Sequence, residues 1–194
     1  FKANNNESEE WNRGAYLVQS AGHCAACHGQ RNALGSFPAV DDLSGGFRDF
    51  IHPKCIFYQR DAGSNLDDIF ERHNIRIIYH LCAEAAESVA VFKRKFYYQS
   101  NIVVSANLIN YAIAHKVDRF VFASSMAVYG HQPSPYRESQ PIAPADPYAI
   151  GKAAIEMDLK CAKEQHNLPW TIVRPHSVYG IKQNIYDKYR NVLA

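Results

Sequence analysis

No stretch of this chain approaches the ~18 consecutive apolar residues of a membrane-spanning helix, so no membrane role is expected. Nor does one sign of charge dominate. Lys and Arg number 21 against 19 Asp and Glu, a formal net charge of +2. The clustered basic residues of a nucleic-acid binder are missing, and no nucleic-acid partner is expected. The opening FKANNNESEE has no initiator Met, no basic start and no apolar run, so no secretory leader is read there. The five cysteines are an odd, scattered set and make no disulfide framework. Cys55, Cys82 and Cys161 stand alone and read as small buried apolar side chains. There is no internal repeat and no low-complexity tract. What is present, 194 residues of which 47% are apolar, suffices to bury a substantial core.

The texture changes along the chain. Residues 1–10 are polar, Trp11–Ser20 reads as a short helix, and the turn-rich GQRNALGSFP (29–38) reads as a junction between residues 1–38 and 39–194. Beyond it, short apolar runs alternate with helical patterns. Ile75–Tyr79, Phe120–Ala123 and Trp170–Val173 read as strands, and Asn101–Lys116 and Tyr148–Gln165 as long helices. Asp146 is the expected cap of the second long helix, with Pro147 as its first residue. Ser64 and Asp67 predict a capping box opening a helix over 64–73. Alternation of helices with continuously apolar strands predicts an α/β fold, a parallel sheet with helices on both faces.

Two features in this part carry chemistry. Tyr148 and Lys152 stand four apart on one helix face, and an ammonium beside a phenol favours the phenolate, so the Tyr148 pKa is expected to fall. Such a group can exchange a proton with a sugar hydroxyl as hydride moves. The strand FVFA runs directly into Ser124 and Ser125, at the strand end where α/β sheets bind ligands. A hydroxyl there can hold a substrate oxygen while Tyr148 transfers its proton.

The stretches VDDLSGGF (40–47), HLCAEAAE (80–87), YYQSNIVVSANLI (97–109), RFVFASSMAVYG (119–130), PYAIGK (147–152) and TIVRPHSVYG (171–180) together resemble the extended short-chain dehydrogenase/reductases. Within these they resemble the NAD-dependent epimerase/dehydratases of the UDP-glucose 4-epimerase kind. The resemblance implies a Rossmann-like fold and a nucleotide-sugar substrate. It implies oxidation, inversion and re-reduction at a sugar carbon, with Tyr148 as acid/base, Lys152 as its partner at the nicotinamide ribose, and Ser125 orienting the substrate. It places Asp41 at the adenine ribose, Asp61 near the adenine, and His80, Leu81, Cys82, Ala83, Asn101, Ser124, Pro175 and His176 around the cofactor. Asp41 followed by Asp42 favours NAD over NADP.

Set against that family, the sequence departs at both ends. Gly14, Gly22, Gly29 and Gly35 do not give the Gly-x-x-Gly-x-x-Gly turn that cradles a pyrophosphate, and no apolar strand precedes them. The first strand and the C-terminal substrate domain of the family are expected to be missing. Weak NAD binding, to the point of inactivity, is the expected consequence. Unpaired strands beside the gap would invite pairing with a second copy, giving a homo-oligomer.

Residues 1–38 raise a different possibility. GHCAACH (22–28) is a Cys-x-x-Cys-His haem-attachment pattern, with Cys24 and Cys27 as thioether sites and His28 as the iron ligand. The segment RGAYLVQSAGHCAACHGQRNALG (13–35) resembles cytochrome c subunits of membrane-bound dehydrogenases, which implies a short α-helical segment and haem c. Zinc on the same three residues would lack a fourth ligand. Met126 and Met157, the only methionines, read as packing residues rather than as a distal iron ligand. Sugar-nucleotide chemistry implies the cytoplasm, whereas haem attachment implies the periplasm. Three readings therefore stand: an NAD-dependent sugar-nucleotide enzyme, a c-type haem electron carrier, and a non-catalytic chimeric assembly.

Overall fold

The computed structural model describes residues 37–45 and 48–176. The expected helix at Trp11–Ser20 and the haem pattern Cys24, Cys27 and His28 lie outside the described residues.

Five short strands are described, and every pairing among them is parallel. Strand β1 (Phe37–Asp41) pairs with β2 (Cys55–Gln59), placing Asp41 opposite Gln59. Strands β3 (Ile77–His80), β4 (Arg119–Ala123) and β5 (Trp170–Val173) form a second unit with β4 in the middle. In β4, Phe120 and Phe122 are both fully buried. The two share one face of the strand, which is closed by the core, while Val121 on the other face is half-buried.

Helices fill the crossovers. They are α1 (Asp67–Arg72), α2 (Glu87–Ala90), α3 (Arg94–Tyr98), α4 (Val104–Ala114) and α5 (Pro147–His166). One apolar core joins α1, α4 and α5 to the strands, while Ala90 of α2 and Tyr97 of α3 pack with Tyr148 in a smaller cluster. Val40 of β1, Leu66, Ile69 and Phe70 around α1, Ile78 of β3, Leu108 and Ile109 of α4, Phe120 and Phe122 of β4, and Ile155 and Leu159 of α5 belong to the main core. The expected α/β architecture is the observed one.

Helix α5 starts and stops where its sequence dictates. The Asp146 carboxylate accepts from the backbone N–H of Tyr148 (2.8 Å) and Ala149 (3.0 Å), and Pro147 takes the first position. Asn167 ends it in the left-handed region at φ 55° and accepts from Lys163 Nζ.

Elsewhere tertiary contacts override local signals. The Ser64–Asp67 capping box does not form: Ser64 Oγ donates to the Asp61 carbonyl, and α1 begins only at Asp67. Its first N–H groups are met by Asn65, whose Oδ1 accepts from Asp67 N–H (2.9 Å), and by α4, where the Tyr111 hydroxyl accepts from Leu66 N–H (2.8 Å) and donates to Asp67 (2.7 Å). The expected helix from Asn101 begins instead as a π-turn, Gln99–Val103, between α3 and α4. Strand β2 lies where no element was expected from the sequence. The lone cysteines are less buried than expected, with Cys55 and Cys82 intermediate and Cys161 exposed. Met157 is also exposed.

Candidate active site

The carboxyl ends of β3, β4 and β5 converge with the first turns of α5. Strand β4 ends at Ala123, and Ser124 and Ser125 follow, both buried. Ser125 caps the 3-10 turn Met126–Tyr129, its hydroxyl accepting from Ala127 N–H (3.1 Å). The Tyr148 phenol lies beside the same hydroxyl, close enough for Ser125 to lower its pKa. Tyr148 is buried, packed with Ala90 and Tyr97.

Lys152 follows one turn later and is also buried. Its Nζ donates to the Ala123 carbonyl (2.7 Å), and it lies 4.8 Å from the Phe122 ring centroid and 5.8 Å from that of Tyr148. Ser125, Tyr148 and Lys152 thus meet at one strand end.

Their electrostatics correct the expectation of a lowered phenol. Burial, the largest influence, pushes Tyr148 up to about 12, and the carboxylates of Glu87 and Asp146 add to it. The contact with Ser125 acts the other way. Lys152 cannot overcome this, because burial draws its own ammonium down to about 8 and its proton points to Ala123.

The cofactor-side residues divide into two groups. Asp41 ends β1, and its Oδ1 accepts from Leu43 N–H (2.7 Å). Asp61 follows β2 and accepts from Gly63 N–H (2.7 Å). The two carboxylates therefore sit at the ends of neighbouring parallel strands. Leu81, Cys82 and Ala83 are half-buried just beyond β3. Pro175 lies against the Ser125 loop through its carbonyl, which accepts from Met126 N–H (3.1 Å), and His176 beside it is exposed.

In the second group the side chains are engaged within the protein. Ser124 Oγ donates to Glu156 (2.5 Å). Asn101 accepts from Glu84 N–H (2.8 Å) and donates to the Glu84 carbonyl (3.0 Å), pinning the loop after β3. His80 is buried against the rings of Phe120 and Phe122. The Ser105 hydroxyl donates to the Asn101 carbonyl, so His80 Nε2–H donates to Ser105 (2.6 Å) and its Nδ1 faces Cys82 Sγ (3.2 Å).

Burial, reinforced by Lys152, pushes His80 down to about 3. Its folded value is below the unfolded ~6.5, so its contribution is complete above pH ~6.5 and is lost as pH falls toward the folded value. Stability should therefore fall between roughly pH 6.5 and 3, by up to about 1.4 kcal/mol per pH unit from this group. Urea titrations across that range should show a shallower fall in His80→Gln than in the parent chain. Equal slopes would mean that His80 is not the group responsible.

Two residues not read from the sequence complete the surroundings. Glu156 is fully buried one turn beyond Lys152, and Arg174 follows β5. The only signal for Glu156 was its place on the face of α5 that carries Tyr148 and Lys152.

Comparison with known proteins bears on the family. A model of the NAD dependent epimerase/dehydratase family matches residues 26–194. The chain is 33% identical to a UDP-glucose 4-epimerase of Azospirillum brasilense over 73% of its own length and 41% of that protein. It is 30% identical to human dTDP-D-glucose 4,6-dehydratase over 59% of this chain and 33% of that one. The UDP-glucose 4-epimerase of Thermotoga maritima, solved with UDP-glucose, superposes with a TM-score of 0.75 at 28% identity, over 78% of this chain and 50% of that one. The Thermus thermophilus enzyme, solved with NAD, gives 0.74 at 27% identity, covering the same shares. The chain thus spans half or less of the length of these relatives. A parallel sheet with a buried Ser-Tyr-Lys constellation at its carboxyl edge, together with these likenesses, leads to one conclusion: the chain belongs to the NAD-dependent epimerase/dehydratase family.

Proposed function

We propose that this chain carries the proton-transfer half of a nucleotide-sugar 4-epimerase, with Ser125, Tyr148 and Lys152 as its working groups. The observation that carries the reading is the meeting of the three buried side chains at the end of β4. Ser125 donates to a sugar oxygen, Tyr148 takes the proton of a sugar hydroxyl and returns it on the other face, and Lys152 fixes α5 to the strand end. The epimerase reading rests on relatives such as the UDP-glucose 4-epimerases.

The donor set fits NAD. A carboxylate at the end of β1, Asp41, suits a ribose diol, and Asp61 lies at the end of the neighbouring strand. Lys152 has three N–H groups, one of which goes to Ala123. NAD, when bound, supplies the acceptor and later the donor of the hydride, and in its oxidised form a positive charge.

The spacing of Gly14, Gly22, Gly29 and Gly35 does not match the family's Gly-x-x-Gly-x-x-Gly pattern, so this chain should hold NAD more weakly than relatives that carry that pattern and need excess NAD to turn over. Calorimetric titration tests this. Weak binding that Asp41→Ala weakens further is expected. Binding as tight as in a full-length relative would overturn the part assigned to the phosphate turn, and binding indifferent to Asp41 would overturn the ribose assignment.

A cytoplasmic setting goes with this chemistry. No described helix is long and apolar enough to cross a membrane. Exposed Phe96 and Val103, before α4, and Ile150 and Met157 on α5 offer apolar surface for a homo-oligomer.

The pattern Cys24-x-x-Cys27-His28 favours a second reading, a cytochrome c-like segment over 1–38 joined to the epimerase-like 39–194, with haem c in a periplasmic setting. An intense Soret band after expression with haem-attachment machinery would establish it, and its absence would remove it.

A further inference from the structure

We propose that Glu156 and Arg174 are positioning residues that hold the Ser125 loop, the Tyr148–Lys152 helix and the Pro175–His176 segment in register. This inference rests on the function proposed above. Glu156 is fully buried, and its carboxylate is engaged on both oxygens. Oε1 accepts from Ser124 Oγ (2.5 Å) and Arg174 Nε (2.9 Å), and Oε2 accepts from Arg174 Nη2 (2.6 Å). Arg174 Nη1 donates to the Tyr129 hydroxyl (2.7 Å), and the guanidinium lies 4.9 Å from the Tyr129 ring centroid.

Each group so joined adjoins a working residue. Ser124 precedes Ser125, Tyr129 closes the 3-10 turn that Ser125 caps, and Arg174 precedes Pro175. Glu156 itself lies on α5, one turn from Lys152 and two from Tyr148. A buried ion pair costs desolvation that an apolar pair would avoid, so it is a weak source of stability. Its bidentate geometry has direction, which apolar packing lacks. One carboxylate here fixes three chain segments whose residues must meet within hydrogen-bond distance.

The variants are Glu156→Gln, Arg174→Lys and Ser124→Ala, assayed at saturating NAD with UDP-glucose. Glu156→Gln and Arg174→Lys should lower kcat on the order of 10- to 100-fold with KM within about threefold, since displacement of reacting groups acts on the chemical step. Ser124→Ala, which removes one bond and leaves the ion pair, should show a smaller loss of the same kind. A spectroscopic readout separates positioning from general loosening. The Tyr148 phenol faces Ser125 from the β4 loop, Asp146 and Lys152 from α5, Glu87 from α2 and Tyr97 from α3. The Ser125 contact alone among the neighbours affecting its titration lowers its pKa. Loss of register should therefore raise the Tyr148 titration midpoint in difference spectra taken against the same variant carrying Tyr148→Phe.

Unchanged kcat and an unchanged Tyr148 midpoint in folded Glu156→Gln and Arg174→Lys would overturn the inference. If Glu156→Gln does not fold, Ser124→Ala decides it by the same two readouts. Tyr148→Phe in the parent chain separates the layers: if it retains turnover, the proposed function fails, whereas if it loses turnover and the other variants do not, only the positioning role fails.

Discussion

Tyr148→Phe should reduce turnover of a nucleotide sugar by about 10²–10⁴-fold, the usual worth of a positioned proton carrier, while leaving the fold and NAD binding intact. The ring is what packs against Ala90 and Tyr97, and Phe preserves it. Tyr148 is buried, Ser125 lies beside its phenol, and the phenol is protonated at neutral pH because burial holds it near 12. Removing the hydroxyl therefore strands no charge. A phenol held at about 12 is a weak acid that keeps its proton at neutral pH, so its conversion to the phenolate base depends on positive charge placed beside it. A variant that kept turnover would show that the proton moves through another group. Circular dichroism and calorimetry with NAD separate lost chemistry from lost structure.

Phe122→Ala should cost about 3–5 kcal/mol of stability, a large share of the about 5–15 kcal/mol of an ordinary domain. The ring is fully buried in the central strand, 5.4 Å from the His80 ring and 4.8 Å from Lys152 Nζ. Truncation opens a cavity and also takes away the aromatic face beneath the buried ammonium. Phe122→Leu refills most of the volume without restoring that face, so it should fall between parent and Ala. Urea unfolding checks both: the midpoint should drop with the slope unchanged. A midpoint within experimental error for Phe122→Ala would mean that the strand is not the centre of the core.

Helix α5 was legible because its punctuation is local. Asp146, Pro147 and a left-handed Asn167 bound it without help from the rest of the molecule. Strand β2 was not: Cys55–Tyr58 is an apolar run as short as that of β4, and a run of that length carries no periodicity that marks it as a strand. The cap of α1 was misassigned for the opposite reason. A local signal at Ser64 existed, but Asn65 and a tyrosine from α4 took its place.

The site shows the same division. The spacing of Tyr148 and Lys152 correctly put them on one helix face, but spacing does not tell where Nζ ends. It ends on the Ala123 carbonyl, and burial then sets both titrations. Asn101 and Ser124 could be placed near the cofactor by resemblance, yet their side chains are held by Glu84 and Glu156. Glu156 reads in sequence like any charged helical residue, and only its burial against Arg174 sets it apart.

The most direct measurement is ultraviolet difference titration of the Tyr148 phenol, parent chain minus Tyr148→Phe, with and without saturating NAD. The account predicts a midpoint near 12 without NAD, a clear fall when NAD is bound, and a smaller fall in Lys152→Met. A phenol that titrates like an exposed tyrosine, near ~10, or one that saturating NAD leaves unmoved, would contradict it.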